Sequence, residues 1–126
     1  MMIVVAASDD QWNELTATRT HVEWRRADSA ADFEQYKHAD AFFCLTGHEV
    51  PTALHSLTKP VIINSVIHPL TGLNLQANIY RINGWAGFLK RTVWEIAGDA
   101  NEEIENVFKS INIKINFVKD EPGFIS

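Results

Sequence analysis

The chain has 126 residues, 46% of them hydrophobic and 21% charged, which is the size and balance of one globular domain. No apolar run approaches the roughly 20 residues that cross a bilayer, and the opening stretch 1–7 has no basic residue and no cleavage site, so neither a membrane span nor a secretory signal is expected. Eleven basic against sixteen acidic residues give a net charge of −5, which argues against a nucleic-acid partner, and a single cysteine, Cys44, excludes an internal disulfide framework and fits a reducing cytoplasm.

Residues 2–7 form an apolar run of strand length, and Ser8 then begins a helix with Gln11 three residues on, the spacing of a capping box. Trp12 and Leu15 give that helix its inner face. Residues 22–26 alternate apolar and polar as a half-buried strand does, and Ser29 followed by Asp32 offers a second helix cap, with Phe33 and Tyr36 turned to the core. Residues 41–46 are almost purely apolar, the pattern of a central strand covered on both faces, and Gly47 ends it. A short helix at 51–57 and a buried strand at 61–64 follow. This alternation predicts right-handed crossovers and a parallel sheet, hence an α/β class.

After a loop at 68–74, residues 79–83 read as a strand and Gly84-Trp85-Ala86-Gly87 as a turn. Residues 91–96, rich in Thr, Val, Trp and Ile, read as a strand, with a short helix as the competing assignment. Asp99 with Glu102 repeats the capping spacing. Ile104, Val107, Phe108 and Ile111 fall at i, i+3, i+4 and i+7, one face of a helix. Residues 114–118 close as a strand with Ile115 and Phe117 on one side, and Pro122-Gly123 signals a further turn.

The segment Lys119-Asp120-Glu121-Pro122-Gly123-Phe124-Ile125, arriving after a capped helix and a strand, resembles the end of the nucleotide-binding domain of 3-hydroxyacyl-CoA dehydrogenases. The stretch before it, a strand at 79–83, a Gly-rich turn and Thr92-Val93-Trp94-Glu95-Ile96, is similar to that family's strand, loop and strand ending in a glutamate. Residues 79–126 carry the resemblance by motif, residues 1–65 by order of elements. It implies a Rossmann-like three-layer sandwich with a mostly parallel central sheet. It also implies a missing helical domain, which in the family follows the Pro-Gly turn and completes the active-site cleft.

A dinucleotide fold seats its pyrophosphate on a glycine-rich turn between the first strand and helix, where the backbone and the helix N-terminus approach the phosphates. Here the three fingerprint positions fall on Ala6, Ser8 and Gln11, and Asp9 and Asp10 place two carboxylates at the positive end of the helix dipole. Both features oppose a pyrophosphate. Asp28, about 20 residues on, stands where an acidic residue contacts the adenosine ribose, and Arg25 and Arg26 offer the competing reading of a 2′-phosphate contact.

The resemblance implies hydride transfer assisted by a histidine that a glutamate holds. Counting back from Glu95, the histidine position falls on Asn83 without a gap, or on Arg81 with a turn two residues shorter, and neither side chain exchanges protons near neutral pH. Asn64-Ser65 matches the start of the family's polar run near substrate and nicotinamide, after which Val66 and Ile67 replace its hydroxyls. The expected catalytic positions are thus Asn83, Glu95, Asn64 and Ser65, and the expected cofactor positions Ala6, Ser8, Gln11 and Asp28.

Other constellations are weaker. The third strand ends without the carboxylate that a phosphoacceptor receiver domain requires. Cys44 and His48 lack a third orienting group, and His48, His55 and His68 have no compact metal-ligand spacing, so no metal is expected. Trp85 and Trp94 read as packing residues or as part of an interdomain surface, not as a stacking platform for bases.

The expected function is a degenerate dinucleotide-binding-type domain, a non-catalytic binding or assembly module without a cofactor. The alternative is the N-terminal domain of a longer 3-hydroxyacyl-CoA dehydrogenase-like oxidoreductase, with NAD as its cofactor. A second copy of the chain or the missing helical domain is the expected protein partner, and an acyl-CoA or a nucleotide the expected small ligand.

Overall fold

The computed structural model of the protein describes residues 1–17, 22–45, 59–64, 79–82, 91–98 and 101–117. Within them one sheet contains β1 (Met2–Ala6), β2 (Glu23–Arg26), β3 (Ala41–Cys44), β4 (Val61–Asn64), β5 (Ile79–Ile82), β6 (Val93–Ala97) and β7 (Lys114–Phe117), in the spatial order β2-β1-β3-β4-β5-β6-β7. The first five strands are parallel to their neighbours, β6 runs antiparallel to β5, and β7 is parallel to β6. The helices are α1 (Asp9–Ala17), α2 (Ala30–Gln35) and α3 (Glu102–Ser110). This is the Rossmann-like α/β architecture expected from the sequence. Residues 91–96 resolve in favour of a strand. The helix expected at 51–57, the loop at 68–74, the turn at 84–87 and the segment 119–126 lie outside the described residues.

The strand order explains the layers. From β1 the chain crosses to β2 on one side and then returns past β1 to β3 on the other, and right-handed crossovers in opposite directions place their helices on opposite faces. Leu15 of α1 accordingly packs with Ile3, Val5, Phe43 and Ile62, whereas Phe33 of α2 packs with Val4, Phe42, Val61 and Ile63. Alternation along each strand divides the two clusters, since successive side chains point to opposite faces. α3 joins the α1 face through Ile104, Val107 and Phe108, the 3.6-residue stripe legible in the sequence.

Phe43 is the hub of that face. Its ring lies 6.3 Å from Trp24, 6.3 Å from Trp94 and 6.0 Å from Phe108, while Trp94 and Phe108 meet edge to face at 5.6 Å. Such pairs add about 0.5–1.5 kcal/mol each beyond the area they bury. Trp94 is therefore a packing residue, as expected, and Trp85 lies outside the described residues.

Register is set at the start of β1. Met2 N donates to Asp40 Oδ2 at 2.9 Å, and Asp40 N donates to the Met2 carbonyl at 2.8 Å, so one residue grips the strand through side chain and backbone together.

Two helix caps differ from expectation. Ser29 stands at the N-cap of α2, but its side chain makes no cap bond, and the Asp32 carboxylate instead accepts from Asp28 N at 2.8 Å. The cap of α3 is Asn101, not Asp99. Its Oδ1 accepts from Ile104 N at 2.9 Å while its Nδ2 donates to the Tyr80 hydroxyl at 2.7 Å, which ties the helix start to β5. Asn caps a helix as well as Asp does, and the tertiary contact to Tyr80 decides between the two candidate starts. Among the described residues no helix is long and apolar enough to cross a membrane.

Gly98 completes that joint. Its φ is +146°, and a Cβ there would stand 2.4 Å from Cδ1 of the buried Tyr80 ring. Gly98→Ala is expected to destabilise the protein by about 2 kcal/mol or more through strain and overpacking, seen as a lower urea midpoint at unchanged m-value.

Candidate functional site

In doubly wound sheets ligands bind in the crevice beyond the carboxyl ends of the strands, where the strand order reverses. That point here is between β1 and β3, and the loop leading from β1 into α1 overlooks it. Its N-terminal turn folds as the sequence indicates. Ser8 N donates to Gln11 Oε1 at 2.9 Å and Gln11 N donates to Ser8 Oγ at 3.2 Å, a reciprocal capping box.

The same loop is bridged from β2. Register pairs Val5 with Arg26, so the arginine emerges beside the end of β1. Its Nη2 donates to the Ala7 carbonyl at 2.9 Å and meets Asp9 Oδ1 at 2.7 Å, and its guanidinium lies 5.9 Å from the centre of the Trp12 ring. Arg26 Nε is buried and has no hydrogen bond; Asp28 Oδ1 stands 3.7 Å from it, beyond good hydrogen-bond reach. Arg25 turns away to Glu23 Oε2 at 2.9 Å and the Trp24 carbonyl at 3.1 Å. Both arginines thus have protein partners in this arrangement.

The four expected cofactor positions lie on this loop and at the neighbouring end of β2. Ala6 is half-buried, and its carbonyl accepts from Leu45 N at 2.8 Å; Ser8 and Gln11 satisfy one another; Asp28 is exposed at the end of β2. A diphosphate cradle needs free N–H groups at the start of α1. Ser8 and Gln11 have committed two of them to side chains, and the Arg26–Asp9 bridge spans the loop. Sequence reasoning missed the bridge, because nothing local marks a pair separated by 17 residues.

The expected catalytic positions are less concentrated. Asn64, the last residue of β4, is half-buried and its Nδ2 lies 3.5 Å from the Leu45 carbonyl. Glu95 is half-buried on β6, one residue beyond the register pair Ile82↔Ile96. By alternation Asn64 shares the face of Ile62, and Glu95 the face opposite Trp94 and Ile96, so the two do not converge on one face. Ser65 and Asn83 lie outside the described residues, as do His48, His55 and His68. Arg81, the competing histidine position, is 0% exposed in β5, between Ile63 and Ala97.

Cys44 pairs in register with Ala6 and is buried. Loss of hydration pushes its thiol up to about 12, so it behaves as an inert hydrophobe and not as a nucleophile.

No protein-family profile matches the chain, and no curated protein matches it in sequence. Solved structures do match. A 5-formyl-3-hydroxy-2-methylpyridine 4-carboxylic acid 5-dehydrogenase, described as an NAD+-dependent dismutase, superposes with a TM-score of 0.69 at 13% identity over 98% of this chain and 59% of its own. The 3-hydroxyacyl-CoA dehydrogenase of Archaeoglobus fulgidus gives 0.64 at 9% identity over 96% and 57%, and a diketoreductase gives 0.67 at 10% over 99% and 66%. The resemblance to 3-hydroxyacyl-CoA dehydrogenases thus holds at the level of fold. The chain spans about three-fifths of the length of these proteins.

The Cys44 thiol has a measurable signature. A pKa raised on folding contributes stability that is present below the unfolded value, 9.0, and is lost as pH climbs towards about 12. Stability is expected to fall in that window by about 1.4 kcal/mol per pH unit more than in Cys44→Val, measured by denaturant titration across pH.

Proposed function

We propose that the chain is a Rossmann-like domain of the 3-hydroxyacyl-CoA dehydrogenase type that acts as a non-catalytic binding or assembly module and holds no dinucleotide. The observation that carries this reading is the reciprocal bonding of Ser8 and Gln11 at the first turn of α1. Two of the backbone N–H groups that would face a diphosphate are bonded within the chain, on a turn without glycine. Three further features agree. Asp9 and Asp10 add negative charge at the same place. Asn64 and Glu95 occupy opposite faces, and neither candidate for the histidine position, Asn83 or Arg81, titrates near neutral pH. Fold likeness by itself transmits no activity.

A second reading, a domain of a longer NAD-dependent dehydrogenase-like oxidoreductase, is favoured by the length relation: the chain matches 57% of the Archaeoglobus fulgidus enzyme. The two readings part on cofactor binding. Calorimetric titration with NAD and with NADH is expected to give no saturable binding tighter than about 1 mM, equivalent to about −4 kcal/mol. A clear isotherm in the micromolar range would favour the second reading.

A further inference from the structure

We propose that the β2 edge of the sheet is a contact between two copies of this chain, which join β2 to β2 antiparallel about a twofold axis at Trp24. The proposal rests on the assembly half of the preceding reading, not on its cofactor half, and names the partner as a second copy. β2 ends the described sheet on one side. Glu23 N donates to the Met1 carbonyl and Ala27 N to the Val5 carbonyl, both at 2.9 Å. These alternate residues therefore turn their backbone groups to β1, and Trp24 and Arg26 turn theirs outward.

What the edge presents is self-complementary. Trp24 packs on the α1 face, so Glu23 and Arg25 share the other, with side chains 53% and 43% exposed and within reach of a second chain. In an antiparallel pair centred on Trp24, the two Trp24 residues exchange backbone hydrogen bonds. Glu23 of each copy then lies opposite Arg25 of the other, at the closely spaced position where side chains approach most. Opposite charges at such positions stabilise the pairing of strands, and like charges destabilise it. Edge strands are commonly blunted by charge. A strand of one sign repels its copy in every register, whereas Glu23 and Arg25 attract in this one.

No existing bond is broken. Arg25 Nη2 stays on Glu23 Oε2 at 2.9 Å, and the same pair of the second copy closes a ring of alternating charge. Arg25 Nη1 stays on the Trp24 carbonyl at 3.1 Å, whose second lone pair takes the incoming N–H. The opposite edge lacks this property: Lys114 is the single charge in β7, and no register within the strand sets it against an opposite one.

A four-residue edge buries little surface, and a net charge of −5 on each copy opposes association, so the dimer belongs to the weak, reversible class. Sedimentation velocity of the full chain from about 10 μM to about 1 mM reads it. Glu23→Arg and Arg25→Glu each set like charges opposite one another and should raise the dimer dissociation constant by about tenfold or more. Glu23→Arg also makes each copy less negative, which strengthens any association limited by overall repulsion, so its loss of dimer is specific to the edge. An equimolar mixture of the two variants restores opposite charges across the axis and should associate at least as tightly as wild type. The intrachain pair that both variants lose is exposed and contributes little to folding, which circular dichroism and thermal melting verify.

The contact is overturned if wild type stays monomeric to about 1 mM, if either folded variant dimerises as wild type does, or if the mixture stays monomeric while wild type pairs. Should one variant fail to fold, the other against wild type decides. Titration with NADH is read separately. A monomer that takes no NADH removes the edge contact and leaves a module without a dinucleotide, whereas an edge dimer that binds NADH tightly keeps the contact and removes the cofactor half of the proposed function.

Discussion

β1 is hydrogen-bonded on both flanks, to β2 through Met2–Val5 and to β3 through Ile3–Ala6, and the rest of the architecture depends on this double pairing. A strand buried between two parallel neighbours has to be apolar on both faces, which Ile3, Val4 and Val5 supply. Because the chain leaves it in one direction and returns on the other, α1 and α2 are sent to opposite faces. The crevice follows from topology. What fills it follows from side chains.

The interior and the crevice obey opposite rules. On the α1 face, Phe43, Trp94, Trp24 and Phe108 meet ring against ring, and removal of their carbons from water supplies the driving force. Among the described residues at the crevice, polar groups bond within the chain: Ala6 to Leu45, Ala7 to Arg26, Ser8 to Gln11. Backbone groups near a strand end must find partners, and in this protein the partners are its own residues.

Much of the fold was legible because its signals are local. The stripe Ile104, Val107, Phe108 announces α3, and the three-residue separation of Ser8 and Gln11 announces a cap that needs no tertiary help. Where two local solutions were equally good, sequence reasoning chose the wrong one: Asp99 and Asn101 both cap helices, and only the Tyr80 hydroxyl on β5 favours the second. The crevice was legible in its residues and not in its contacts. Ala6, Ser8, Gln11 and Asp28 could be assigned to it from order of elements, but the inward turn of Arg26 depends on the β1–β2 register. Likewise nothing in a single sequence marks Arg81 as the charged side chain that β5 buries completely, or sets Asn64 and Glu95 on different faces.

The grip of Asp40 on Met2 bears on how the two strands stay aligned. A slip of one position between β1 and β3 would carry every apolar side chain of the strand to the wrong layer. Asp40 lies immediately before β3, one position ahead of the register pair Ile3↔Ala41, so its two bonds hold the phase of β1 against β3 at the point where that ladder begins.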